Sequence, residues 1–337
     1  MMQRLLRISR WTLWALAALA AALILALVAF RVQAVFREGR APADAAPTGG
    51  RFVKAAGLDI FVQEMGPKEA PAVVFIHGPG AWSEAWRSQM TALAKGSVRA
   101  IALDLPPFGY SQRPDPPSYG KREQGLRILA VLDALGLQRA VLVGHSFGAG
   151  PAVEAALAAP ERVRALILVD AALGINWSDD PPDAPALLRG FLGARPLRDS
   201  VVATFLTNPL FTRRLLQSFI DDPQRATDEW VSLYQRPLVV KSTTAAVGEW
   251  LPALLLPGAP AASENPASYK SLKPPVFIVW GGRDTITPAA QGRILAAVTP
   301  GAELVVMREV GHIPQIEDAA GFNRALLLFV AKADAAP

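Results

Sequence analysis

Short apolar runs alternate with longer amphipathic stretches along most of this chain. The runs at 72–76, 98–103, 140–143, 163–169, 276–280 and 303–307 are rich in Val, Ile and Phe. They are too short for buried helices, so they predict strands. Stretches near 85–94, 121–135, 147–158 and 320–332 predict helices between and after them. Strands alternating with helices in this way predict an α/β fold with a mostly parallel, doubly wound sheet, covered on both faces. Two short runs, 51–54 and 58–64, predict a hairpin in front of it.

From Asp170 to Lys273 the alternation stops, and about a hundred residues pass without a clear strand. Amphipathic helices are predicted there near 187–192, 200–208, 212–220 and 226–234. An insertion this long in a compact fold is usually functional. It predicts a helical cap, 171–273, over a core made of 51–170 and 274–337. Most apolar side chains of the cap are expected to hold it onto the sheet, and a few to line an acyl pocket.

The front of the chain has a different pattern. Residues 11–30 hold no charge and no proline. As a helix they span ~30 Å, the hydrocarbon thickness of a bilayer. Arg4, Arg7 and Arg10 precede this segment in a basic tail, 1–10, and a Pro/Ala/Gly-containing tether, 31–50, follows it. Two readings stand: an uncleaved single-pass anchor, or a signal peptide cut near Val32-Gln33-Ala34. The length exceeds a signal h-region and favours the anchor. Arg31, Arg37 and Arg40 balance the arginines in front, so charge alone sets no orientation. A short tail with three arginines is harder to translocate than to retain, which predicts the folded domain on the periplasmic or extracytoplasmic side.

Charge then excludes one class of partner. The net charge of +5 resides entirely in residues 1–40; residues 41–337 carry 28 basic and 28 acidic groups. No basic patch or nucleic-acid motif is left to explain. Without cysteine, disulfides and thiol nucleophiles are ruled out, and three scattered histidines offer no metal spacing. No metal and no cofactor are expected. High Ala, Arg and Pro with little Lys is the composition of a GC-rich bacterial genome.

The candidate chemistry starts at Gly144-His145-Ser146-Phe147-Gly148, between the run at 140–143 and a helical stretch. Strand, sharp turn and helix make a nucleophile elbow with Ser146 at its tip. The helix that starts there directs free N–H groups and its positive end at the site. A serine hydroxyl needs a base. His145 diverges from its neighbour Ser146, and His77 opens the turn His77-Gly78-Pro79-Gly80, which leaves His312 in Gly311-His312-Ile313-Pro314. Asp284, after the run at 276–280, is the leading acid to orient His312; Asp170 is its rival, and Asp104 reads as structural. The order Ser146, Asp284, His312 is that of a Ser-Asp-His triad on an α/β sheet.

On His77-Gly78-Pro79-Gly80, Asp104-Leu105-Pro106-Pro107-Phe108-Gly109-Tyr110-Ser111, the elbow, and the Asp284 and His312 loops, residues 51–333 resemble the α/β-hydrolase-fold serine hydrolases of esterase and lipase type. The resemblance implies an oxyanion hole made by the N–H of Phe147 and one from the 78–82 loop. The family takes the second N–H from the residue after His-Gly, but that residue is Pro79, which has none. A shifted loop with Gly80 or Ala81 as donor is expected. Trp82 is a candidate substrate contact, since ligand pockets are lined by aromatics. Haloalkane dehalogenases and epoxide hydrolases of this fold carry Asp at the elbow, so Ser146 points to acyl transfer. The expected reaction is cleavage of a small-molecule carboxylic ester, with a lipid-derived acyl group made plausible by the anchor. Cofactor-free haloperoxidases or perhydrolases and carbon–carbon bond hydrolases use the same serine and stay open as alternatives, as does a non-catalytic binding protein.

Overall fold

The computed structural model describes residues 10–175, 184–256 and 261–335. Arg4 and Arg7 of the basic tail lie outside the described residues. The sheet has eight strands: β1 (Arg51–Ala55), β2 (Leu58–Met65), β3 (Ala72–Ile76), β4 (Arg99–Leu103), β5 (Ala140–His145), β6 (Val163–Val169), β7 (Val276–Gly281) and β8 (Glu303–Met307). Their spatial order is β1-β2-β4-β3-β5-β6-β7-β8. The predicted hairpin β1–β2 pairs antiparallel and joins β4 antiparallel, and every later pair is parallel.

The strands read as unbroken apolar runs because both faces are covered. Successive side chains alternate between two cores. Val74, Ile76, Leu142, Leu166, Leu168 and Ile278 point to one, where they meet Ile128, Val131 and Leu295. Val73, Phe75, Val141, Ile167, Val169 and Phe277 point to the other, where they meet Met90, Leu93, Phe322, Leu326 and Phe329. Each such fully buried side chain contributes roughly 1.5–3 kcal/mol over its exposed state.

The helices used below are α1 (Arg10–Arg37), α2 (Arg87–Ala94), α3 (Lys121–Ala134), α4 (Ala149–Ala158), α5 (Ala186–Gly193), α6 (Arg195–Phe205), α7 (Thr212–Phe219), α8 (Asp228–Gln235), α9 (Thr243–Leu255), α10 (Ala289–Val298) and α11 (Ala319–Ala335). α3, α4 and α10 cover the first core, α2 and α11 the second. Between β6 and β7 the described elements are all helical, α5 to α9 and a four-residue helix Pro266–Tyr269 with short turns. α9 is not among the helices predicted from the sequence, and it contains Gly248 and Pro252, both unfavourable inside a helix. Tertiary packing overrides them: Val247, Trp250 and Leu251 are buried against Phe147, Tyr119 and Leu192.

α1 runs seven residues beyond the predicted segment, and its stretch Trp11–Arg37 is long and apolar enough to cross a membrane, with a mean hydropathy of 2.7. Its last turns dock on the cap. Ala34 is buried, Arg37 Nε donates to Leu238 O at 3.1 Å, and the buried Glu38 carboxylate accepts from Thr244 N–H (3.0 Å) and from the Thr244 hydroxyl. Arg40 pairs with the backbone of Val239 and Lys241. The first part of the expected tether is therefore tied down by hydrogen bonds.

Candidate active site

β5 ends at His145, a single 3-10 turn spans Ser146–Gly148, and α4 follows. Ser146 has φ 52, a left-handed conformation that a residue with a side chain holds at a cost of about 1–3 kcal/mol. The turn closes because Gly144 and Gly148 have no Cβ: one added at Gly144 would lie 2.7 Å from Ala149 Cα, and one at Gly148 2.5 Å from His77 O.

Two loops at the C-terminal ends of β7 and β8 bring the other groups to Ser146. His312 Nε2 lies 2.9 Å from Ser146 Oγ, and His312 Nδ1 lies 2.8 Å from Asp284 Oδ2. All three side chains are buried. Asp284 is held by its own loop: Oδ1 accepts from Ile286 N–H (2.7 Å) and Thr287 N–H (2.9 Å), and Oδ2 accepts from the Thr287 hydroxyl (2.6 Å). Burial alone would raise the Asp284 carboxyl. The hydrogen bond and charge of His312, with help from Thr287 and Asp170, outweigh it and hold the group down at about 2. Such a hydroxyl–imidazole–carboxylate line can pass the serine proton to the imidazole and stabilise the resulting cation.

The other two histidines are structural supports. His77 Nε2 accepts from Leu105 N–H (3.0 Å) and its Nδ1 is 2.8 Å from Gly78 O, which makes Nδ1 the protonated nitrogen. His145 Nε2 donates to His312 O at 2.8 Å and so fixes the His312 loop from behind. Burial depresses both, His77 to about 4 and His145 to about 3, so each stays neutral. Asp104 is buried with its oxygens on Ser83 N–H and Tyr110 N–H, both at 2.7 Å, and ties the 78–82 loop to the turn after β4.

Pro79, Gly80 and Ala81 line the cavity beside Ser146. The Ala81 N–H is engaged with Gly78 O at 3.3 Å, whereas the Gly80 N–H has no hydrogen bond among the described residues. Gly80 is thus the freer donor of the two, and Phe147 follows Ser146 in the elbow turn.

Trp82 does not line the cavity, contrary to the sequence expectation. It is fully buried, packs edge-on against Tyr110, and donates its indole N–H to Leu233 O at 2.9 Å, which joins the cap to the core. The aromatic contacts come instead from Phe108, Phe219, Tyr234 and Trp250, which line a cavity of about 160 Å³ over Ser146 and His312. Leu215, Leu216, Leu238, Val247 and Ile313 are part of its apolar wall, and Arg113 is its single cation among the described lining residues. The cap also reaches the histidine loop directly: His312 N–H donates to Phe219 O at 2.8 Å. Glu317 ties that loop together, its carboxylate accepting from Gly311, Ile313 and Asp221 N–H groups.

Asp170 was the rival acid, and the sheet brings it to the same place. Ligand atoms of Asp170, Asp284 and His312 lie within 4.8 Å of one another, a grouping that sequence spacing did not predict. Both ring nitrogens of His312 are hydrogen-bonded, Nδ1 to Asp284 and Nε2 to Ser146. Burial and the neighbouring Asp284 push the Asp170 carboxyl well above the usual carboxylate range.

Comparison with known proteins agrees with this architecture. The profile of the alpha/beta hydrolase fold family matches residues 71–319. The 2-hydroxymuconate semialdehyde hydrolase of Pseudomonas sp. (strain CF600) is 32% identical over 294 residues, covering 86% of this chain and 96% of that protein. A 2-hydroxy-6-oxo-2,4-heptadienoate hydrolase of Pseudomonas putida is 28% identical, covering 85% of this chain and 97% of that protein. A solved meta-cleavage product hydrolase from Pseudomonas fluorescens IP01, a mutant complexed with acetates, superposes with a TM-score of 0.66 at 28% identity, over 84% of this chain and 98% of its own. With the family profile matched over most of its length, the chain belongs to the α/β hydrolase fold family and is a hydrolase of that fold.

Proposed function

We propose that this chain is a serine hydrolase in which Ser146, His312 and Asp284 attack a ketone carbonyl and cleave the adjacent carbon–carbon bond. The observation that carries the serine mechanism is the unbroken line Ser146 Oγ–His312–Asp284, which opens onto an apolar cavity. The choice of bond is supported by the relatives, whose names are those of hydroxy-oxo-dienoate and semialdehyde hydrolases.

In this reading His312 takes the Ser146 proton as Oγ bonds to the carbonyl carbon. The N–H groups of Phe147 and Gly80 hold the oxyanion; Pro79 has none to offer. Collapse expels a carbon leaving group, which His312 protonates. Water then releases the acyl group from Ser146 by the reverse path. A carbon leaving group is tolerable only where its negative charge is delocalised into a conjugated oxo acid. Arg113 lines the cavity as a counter-charge for such an acid: its Nε has no partner among the described residues, and burial lowers it only to about 10.

Ester cleavage is the second reading. It is supported by the mostly apolar cavity wall and by the apolar helix α1, which would hold the enzyme beside lipid-derived esters. In either reading we propose a catalytic domain, 51–170 with 274–337 capped by 171–273, on the extracytoplasmic side, because a short tail with three arginines is harder to translocate than to retain.

Purified full-length protein in detergent tests the choice. With 2-hydroxy-6-oxo-2,4-heptadienoate the conjugated absorbance is expected to disappear, at a kcat/KM at least about tenfold that for p-nitrophenyl butyrate. The reverse ratio would establish the ester reading. Ser146→Ala is expected to lower both by about 10⁴-fold or more with the fold intact. A variant that kept most of its activity would remove Ser146 from the mechanism.

A further inference from the structure

Asp170 is a buried carboxyl that the proposed mechanism leaves unused. It follows β6 with no exposed surface and with φ 41, in the left-handed region that residues with a side chain rarely enter. The chain around it is fixed from several sides. Its N–H donates to Val279 O at 3.0 Å, and Ala172 N–H donates to Ser146 O at 3.1 Å. Its Oδ1 accepts from Gly281 N–H at 2.8 Å. Its Oδ2 is buried and receives no donor among the described residues. A carboxylate oxygen of Asp170 lies within 4.8 Å of one of Asp284.

Two carboxyl groups in this contact form a hydrogen bond only if one of them carries a proton. Asp284 is the better place for the charge. It accepts two backbone N–H groups and the Thr287 hydroxyl and faces His312, whereas Asp170 accepts a single N–H. The titratable groups that face the pair are His312 from the loop after β8 and Glu317 from the turn behind it, with His145 at the end of β5 against His312. None of these supplies a fixed positive charge that would hold two carboxylates ionised.

We propose that Asp170 is a positioning residue: as the neutral acid it donates a hydrogen bond to Asp284, fixing that carboxylate in line with His312 without adding a second negative charge. The burial of Asp170 beside an ionised neighbour raises its carboxyl in the direction this requires. A neutral donor also moderates Asp284. Without it, Asp284 would hold the imidazolium more tightly, and the protonated imidazole would persist to higher pH.

The proposal rests on the reading of Ser146, His312 and Asp284 as the catalytic line, and the test separates the two. The rate of fluorophosphonate labelling of Ser146 in the full-length, detergent-solubilised protein needs no known substrate, and the acid limb of its pH profile reports protonation of the base. Asp170→Ala is expected to move that limb up by about 0.5–1 pH unit and to lower the plateau rate about tenfold. Asp170→Asn keeps a donor for Asp284 and an acceptor for Gly281 N–H. It is expected to bring the limb back to within about 0.3 pH unit of the wild type. An Asp170→Asn limb about one unit lower would mean that Asp170 is ionised, and would overturn the proposal. So would an Asp170→Ala profile identical to the wild type. If Asp170→Ala does not fold, Asp170→Asn alone still decides between neutral and ionised. Wild-type protein that fails to label overturns the catalytic line itself.

Discussion

At the scale of single residues, the elbow depends on atoms that are missing. A Cβ at position 148 would meet His77 O at 2.5 Å and Ile76 O at 2.8 Å, both backbone atoms of the neighbouring strand end. Backbone cannot swing aside as a long side chain can. Gly148→Ala is therefore expected to displace the elbow, lowering Ser146 labelling by at least about tenfold and stability by about 1–3 kcal/mol, read by labelling rate and by thermal melting. Unchanged labelling would mean that the turn relaxes without moving Ser146. The residues whose chemistry demands one type at a strand end, Ser146, Asp284 and His312, were legible in the sequence. Those that act through geometry were not. His145 looked like a neighbour pointing away, yet it holds the backbone of His312. Thr287 carries no motif, although it bonds Asp284 and stands 3.3 Å from His312 Nδ1. Trp82 was misread because an aromatic beside a site loop resembles a pocket wall until the partner of its indole N–H is known.

At the scale of elements, four neighbouring strands end in buried titratable groups: His77 after β3, Asp104 after β4, His145 at the end of β5 and Asp170 after β6. Their effects on stability have opposite signs. The histidines are depressed to about 4 and about 3, so their contribution is present above the unfolded value near 6.5 and is lost as pH falls. The carboxyls are raised, Asp104 to about 6 and Asp170 well above 3.8. Their contribution is complete below the unfolded value and is lost as pH rises through the folded one. Between about pH 4.5 and about pH 5.5 His77, His145 and Asp104 each change stability by up to roughly 1.4 kcal/mol per pH unit, the histidines opposing the carboxyl, and Asp170 acts in the same direction as Asp104. Asp170→Asn removes one opposing member. Relative to wild type, its stability is expected to fall on acidification, measured by denaturant midpoints. A constant difference across the window would mean that Asp170 titrates as an ordinary surface carboxyl. The strands themselves were legible because a buried parallel strand is an apolar run bounded by turns. α9 was hidden because its helicity comes from packing Val247, Trp250 and Leu251 into the cap rather than from local propensity.

At the scale of the whole molecule, the apolar helix and the cavity meet on one element. Glu38, just past the end of α1, binds Thr244 near the start of α9, and α9 carries Val247 and Trp250 into the cavity wall. Arg31 approaches Asp199 of the cap at 3.9 Å. Losing the Glu38 carboxylate orphans a buried N–H, so Glu38→Ala is expected to lower stability by about 1–3 kcal/mol and to raise KM more than it lowers kcat. Equal kinetics would mean that the docking is mechanically separate from the cavity. We propose that α1, long and apolar enough to span a bilayer, does so with the folded domain outside. Three arginines precede the apolar stretch and three follow it, so the charge rule is balanced. The balance is broken by what else would have to cross: either a ten-residue tail with three arginines, or a domain that folds after export. The domain is expected outside. A C-terminal alkaline phosphatase fusion should then be active in whole cells while a fluorescent-protein fusion exported by the same route stays dark, and the chain should stay with membranes after an alkaline carbonate wash. Release by carbonate as a shortened chain would identify 11–30 as a cleaved signal, and a bright fluorescent fusion would put the domain on the cytoplasmic face.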